Sequence, residues 1–249
     1  LAHNENRILK ISESLKAYND RVKDHFANSN RFDGSNTQPF TQYVEGGSQT
    51  SIWGVPSLGI DPATGEEIFI RPDGSITNTW NTNDQVVLGD TEPKIQGTFG
   101  LNATYKNLSL YMTFMYEAGG QIYNSTLRDK VEDVNVYTSN VDKRVFSERW
   151  QEPGDKARYR KLTSGVGGSI MRTRPTSRFV EDNNVLTLNS ISLGYDFDAG
   201  QKWMKTIGLS MLRFEIGAND VCRWSSVKVE RGLNYPYARS FNFSLKAAF

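Results

Sequence analysis

Two histidines, His3 and His25, and one cysteine, Cys222, are the residues best suited to metal ligation or nucleophilic attack. Neither histidine stands at ligand spacing to the other or to Cys222, and a solvated loop histidine accounts for each. Cys222 has no partner for an internal disulfide and no motif around it, so it reads as an incidental thiol. The acidic pairs Glu66-Glu67, Glu132-Asp133 and Glu181-Asp182 offer carboxylates for acid–base work, but adjacent pairs on loops are ordinarily solvated charge. Asp61, Thr64 and Glu66 supply oxygen atoms without the spacing of an EF-hand, and turn chemistry explains them better. No Gly-x-Ser-x-Gly, Walker or dinucleotide motif is present. Gly165-Val166-Gly167-Gly168 lacks the strand and helix that a phosphate loop requires. The expectation is a protein that is not an enzyme and uses no catalytic residue, cofactor or metal.

What remains is charge and aromatic surface. Arg213, Glu215, Asp196 and Lys246 lie opposite apolar stripes, on faces that would either pair among themselves or touch a passing solute. Trp80, Trp150 and Trp224 lie in long polar segments, where a ring stacks on a sugar or anchors the packing of its own loop. Arg213, Glu215 and the three tryptophans are the candidate substrate contacts.

The elements that must hold these residues are strands. No apolar run approaches the ~18 residues of a membrane helix, and mean hydropathy is −0.54. That average does not exclude a membrane barrel, whose strands need only about 9–11 residues and alternate apolar with polar. Net charge is +1, so nothing points to nucleic acid. Ile95, Gly97, Phe99, Leu101, Ala103 and Tyr105 share one face, and after the Lys106-Asn107 turn Leu108, Leu110, Met112, Phe114 and Tyr116 share another. Val185–Phe197 alternates less cleanly, because Leu186 and Leu188 break its polar face. Leu212, Phe214, Ile216 and Ala218 alternate with charged and polar neighbours, and the opposite parity of Leu209 and Met211 predicts a bulge near Met211-Leu212. Phe241, Phe243, Leu245, Ala247 and Phe249 give the sharpest alternation.

The connections alternate between short (106–107, 198–205) and long (15–93, 120–183, 220–238), as the turns and outer loops of a membrane barrel do. With Phe249 at the periplasmic end, all the long segments fall outside the cell, and Leu1–Ile11 would lie near the outer end of an initial strand. Within them, Ile60–Ile70 reads as a turn feeding a short strand, Arg71-Pro72-Asp73-Gly74 as a turn returning it, and Val141–Trp150 as a short helix with Val141, Val145, Phe146 and Trp150 on one face.

The motifs in order resemble the C-terminal portion of SusC/RagA-like TonB-linked outer-membrane transporters of Bacteroidetes. They are Glu45-Gly46-Gly47-Ser48 with Ile52-Trp53, Gly59–Phe69, Gly89-Asp90 with Pro93, and the 97–116 hairpin followed by Gly119-Gly120-Gln121-Ile122-Tyr123-Asn124. Arg149-Trp150 with Pro153-Gly154-Asp155, Ile191–Tyr195, Tyr235-Pro236, Arg239 and Phe249 complete the set. The stretch 225–234 departs from the Asp-Pro-Glu-like run that the family often carries there. The resemblance implies an all-β fold: antiparallel strands of a large barrel of the roughly 22-stranded, plugged class. It further implies that residues 1–249 are an incomplete barrel with long extracellular loops and a short loop helix, the plug and first strands lying upstream. It implies outer-membrane import of glycan or peptide oligomers with a SusD-like surface lipoprotein and the TonB complex as partners. Phe241, Phe243, Leu245 and Phe249 would be the signal read by the barrel assembly machinery, and the apolar faces would meet outer-membrane lipid.

The alternative is a secreted β-sandwich that binds carbohydrate. It predicts that Phe99, Leu101, Leu110, Phe114, Phe214, Ile216, Phe243 and Leu245 close into one dry core. A barrel predicts that they form an exposed belt.

Overall fold

The structure is a computed structural model that describes residues 7–29, 36–138, 140–163, 170–198, 200–228 and 239–249. The chain divides into two compact units, one holding Pro93–Gly119 and Asn183–Phe249 and the other Asn4–Glu92 and Gly120–Asp182. They are called here the sheet unit and the loop unit.

The loop unit begins with a helix that the sequence reading did not foresee. Ser12 caps α1 (Glu13–Ala27), its hydroxyl accepting from the Leu15 amide. Only Val22 and Phe26 of α1 are buried, and Phe26 packs against Phe40 and Trp80 at ring separations of 5.5 and 5.3 Å. His25 thus sits on a helix, edge-on to Phe40, rather than in a loop. Short strands follow: β1 (Ser51–Gly54), β2 (Ser57–Ile60), β3 (Glu67–Ile70), β4 (Ile76–Thr77) and β5 (Val86–Asp90). β1 pairs with β5, and β2-β3-β4 form a meander whose turns carry Gly65 at φ +71° and Gly74 at φ +81°. These are the turns expected within Ile60–Ile70 and over Arg71-Pro72-Asp73-Gly74. Arg7 makes only an isolated bridge to Ser48, and the chain then runs into α1. Residues 7–11 therefore do not form the expected initial strand, while 1–6 lie outside the described residues.

The second half of the loop unit packs Leu127, Val131, Val134, Val145, Tyr159 and Phe179 into one apolar cluster. The helix expected over Val141–Trp150 shrinks to Arg144–Ser147, with Val145 buried and Phe146 exposed. The physical reason lies at Arg149 and Trp150. The Trp150 amide donates to the Tyr159 carbonyl, and the Arg149 guanidinium is spent on the carbonyls of Val145, Val131, Glu132 and Arg160. Cross-chain pairing takes over the backbone that a longer helix would use.

The sheet unit is one antiparallel sheet of β6 (Ile95–Tyr105), β7 (Leu108–Tyr123), β8 (Val180–Phe197), β9 (Met211–Ser225) and β10 (Ser240–Ala248), in the order β10-β9-β8-β7-β6. Four of the five have 11 to 18 residues, well beyond the usual strand length. β6 and β7 pair without a break from Ile95↔Ala118 to Tyr105↔Leu108, and Lys106 takes φ +53° in the tight turn. β9 and β10 pair in perfect register from Met211↔Ala248 to Asn219↔Ser240, so the bulge expected near Met211-Leu212 is absent. Leu209 precedes the strand, its amide bonded to the Met204 carbonyl, which explains its parity. The bulge is instead at the far end of β9: Ser190 faces Asn219 while Leu188 faces Cys222. One extra residue is accommodated there, and Asp220 takes φ +53°.

The register lines up the apolar sets. Leu193, Ile216 and Phe243 face one another across three strands, as do Tyr195, Phe214 and Leu245, while Phe99 stacks on Phe114 at 4.9 Å. These side chains are open to the surroundings, Phe243 being 68% and Leu245 67% exposed. They do not close into an interior, which removes the premise of the sandwich. The sheet is not closed on itself, β6 and β10 forming its edges.

Candidate functional site

The face opposite the apolar belt is polar and internally bonded. Arg213 donates from Nη1 to Asp196 Oδ2 at 2.9 Å and from Nη2 to Ser109 Oγ at 2.9 Å, and its Nε stands 3.5 Å from Glu215 Oε2. Glu215 also accepts from the Ser192 hydroxyl at 2.7 Å. Gly194 is the floor of this network, since a Cβ there would stand 2.5 Å from Arg213 Nη2. Arg213, Glu215 and Asp196 thus meet on one face, with Lys246 directly across from Arg213.

The bulge adds Trp224 to this face. Up to Asn219 the even positions of β9 carry the apolar stripe; past Asp220, Cys222 and Trp224 oppose Leu188 and Leu186, which lie on the polar side of β8. The parity break seen in the sequence at Leu186 and Leu188 is therefore matched by apolar partners, and Leu188 is buried.

The other two candidate tryptophans, Trp80 and Trp150, belong to the loop unit and are tied to it by their indole N–H groups. Trp80 donates to the Pro175 carbonyl at 3.1 Å and carries Arg174 over its ring at 4.8 Å. Trp150 donates to the Pro62 carbonyl at 2.8 Å, with its ring over Gly65. A side chain at position 65 would collide with that ring, a Cβ standing 2.5 Å from it. A half-open apolar groove is lined by Tyr18, Arg21, Val22, His25 and Phe40. Among the described residues no cluster of three or more His, Cys, Asp or Glu could hold a metal ion.

Two acidic pairs read as solvated are partly or wholly buried. Glu132 is 2% and Asp133 1% exposed, and Glu67 is buried although Glu66 is not. Arg178 bridges Glu67 and Glu132, with both contacts at 2.8 Å, and Arg160 bridges Glu132 and Asp133 at 3.4 and 3.1 Å. Thr173 donates its amide and its hydroxyl to Asp133, each at 2.7 Å. Burial alone would push the Glu67 carboxyl up, but the Arg178 charge and hydrogen bonds outweigh it and hold it below the usual carboxylate range. Each carboxylate is neutralised by an arginine, so the cluster builds structure and is not a catalytic dyad. Glu181 is half-buried, paired with Arg158 at 3.2 Å. The Gly165–Gly168 run, Tyr235-Pro236 and most of the 225–234 stretch lie outside the described residues.

The C-terminal strand presents Phe241, Phe243 and Leu245 on the belt, with Phe249 just beyond β10.

The class these features define is a stretch of β-barrel wall, with the long segments before β6 and between β7 and β8 gathered into a folded unit. Known proteins agree. No family model matches the chain. It is 23% identical to TonB-dependent receptor P3 of Formosa agariphila over its whole length, which covers 26% of that protein. It is 24% identical to TonB-dependent receptor P26 of the same organism over 60% of the chain and 14% of the relative. The chain thus spans about a quarter or less of the curated relatives it matches. Among solved structures it superposes on the RagAB peptide transporter with a TM-score of 0.60 at 20% identity, covering 79% of this chain and 22% of that one. The 'open-open' state of the RagAB peptide importer gives 0.62 at 20% identity, covering 87% and 25%. The resemblance read from the sequence holds: this chain is similar to SusC/RagA-like TonB-dependent transporters.

Proposed function

We propose that this chain forms part of the wall and outer loops of an outer-membrane, TonB-dependent transporter that imports bulky nutrients together with a SusD-like surface lipoprotein. The observation that carries the reading is the belt. Its apolar side chains are aligned in register across the sheet yet remain exposed, while the reverse face is hydrogen-bonded and charged. Lipid on one side and water on the other reproduce that division. Likeness to the RagAB peptide transporter favours oligopeptides over glycans as cargo. On this reading Arg213, Glu215 and Trp224 face the lumen, and Trp80 and Trp150 stiffen the loops through which cargo passes. Phe241, Phe243, Leu245 and Phe249 serve the assembly machinery. TonB contacts and the plug belong to parts of the protein outside residues 1–249.

The test is fractionation of the full-length protein. It should sediment with the outer membrane, resist urea extraction and show heat-dependent mobility on a gel. Recovery in the soluble periplasm would sink the proposal. Uptake of labelled oligopeptides by cells with and without the gene then decides the cargo class.

A further inference from the structure

The two short connections of the sheet unit, 106–107 and 198–210, converge at one end. The Asp196 amide donates to the Asn107 carbonyl at 2.9 Å, which sets the hairpin turn beside the start of the longer connection. That connection contains a helical turn, Lys202–Thr206, pinned by the fully buried Met204. Its Trp203 ring meets Phe197 edge-on at 5.9 Å, and Phe197 meets Tyr195 edge-on at 5.0 Å. Tyr195 and Phe197 face Phe214 and Leu212 on the belt, so the helical turn extends the apolar face by an aromatic step. Tyr105 ends the same face on β6, 72% exposed, with the Lys106 ammonium 5.4 Å above its ring.

The same two connections carry three exposed cations: Lys106, directly after Tyr105, and Lys202 and Lys205, flanking Trp203 on its helical turn. Among the described residues none of them is ion-paired. Asp198 is the acidic residue of these connections, and its Oδ1 accepts from the Gly200 amide at 2.9 Å. Aromatic rings at the edge of an apolar band, followed by unpaired ammonium groups, match the order of acyl chain, interface and phosphate in a phospholipid leaflet. We infer that the 106–107 and 198–210 connections form an interfacial anchor that binds the anionic headgroups of the adjoining phospholipid leaflet. The inference rests on the barrel reading above and adds a ligand to it.

The test uses full-length protein in nanodiscs of phosphatidylethanolamine with and without phosphatidylglycerol, with retained lipid read by native mass spectrometry. Wild type should retain phosphatidylglycerol selectively. A variant combining Lys106→Gln, Lys202→Gln and Lys205→Gln should lose that preference by about fivefold per lysine removed. Raising salt should erode the wild-type preference too, as screening shortens the reach of the charges, and that arm remains decisive if the variant misassembles. Equal retention by variant and wild type, or a salt-independent preference, would overturn the anchor. So would displacement of the lipid by inorganic phosphate alone, which would mark a simple anion site. Full-length protein that never enters the outer membrane would instead defeat the transporter reading.

Discussion

The two units of this chain solve opposite problems with the same residue types. The sheet unit exposes Phe243, Leu245 and Phe99 and keeps Asp196, Arg213, Glu215 and Lys246 on the reverse face. The loop unit buries Glu67, Glu132, Asp133, Arg149 and Arg160, with Arg178 closing on them, and leaves most of α1 exposed. An exposed phenylalanine and a buried glutamate are each unfavourable in a small water-soluble domain. On the proposed membrane reading the sheet's stability comes from lipid and backbone pairing, whereas the loop unit joins an apolar cluster around Val131 and Val145 to specific ionic contacts. An arginine that reaches several backbone carbonyls, as Arg149 does, organises segments distant in sequence.

The largest effect that separates the units should come from Arg178→Ala. It leaves Glu67 and part of Glu132 buried without their cation, at a cost of about 3–5 kcal/mol. Hydrogen exchange should rise across β3 and the Arg128–Glu132 turn while β6 to β10 stay protected. Equal loss of protection in both units would break the contrast. Next comes Phe243→Arg, on the apolar face of the edge strand β10, expected to cost about 2–4 kcal/mol in lipid. Urea unfolding of the full-length protein in vesicles measures it, and a silent substitution would mean that this face does not meet lipid.

Acid gives a smaller, graded effect. The folded-state pKa of Glu67 lies below its unfolded value, so its contribution is fully present above the ordinary carboxylate range and is lost as pH falls through the folded value. Protease sensitivity of the loop unit should therefore rise in acid below the ordinary carboxylate range, and Glu67→Gln should flatten that response. The smallest effect is expected from Arg213→Gln, whose bonds lie on an open polar face. Assembly should be unchanged in a gel-mobility assay, and any change should be in uptake.

The sheet was legible in the sequence because two different surroundings impose a strict period of two, and Phe241–Phe249, Ile95–Tyr105 and Leu108–Tyr116 each carry it without interruption. α1 was missed because its buried face is only Val22 and Phe26. The Ser12 cap with Leu15, Tyr18, Val22 and Phe26 at helical spacing was the available signal. The ionic cluster left no trace in any window, since Glu67, Glu132 and Arg178 are held together over 111 residues and adjacent carboxylates look the same whether solvated or paired. The bulge was placed at the wrong end of β9 because a parity change at a strand's start resembles one within it.

That misplaced bulge has a consequence for how such a wall could diversify. With Asp220 in place, Trp224 turns toward the face of Arg213 and Arg223 turns away from it. Deleting a single residue there would exchange the two, presenting a cation where an indole stood, with no side chain replaced. Chain length at one position acts as a selector between two surface chemistries already written side by side.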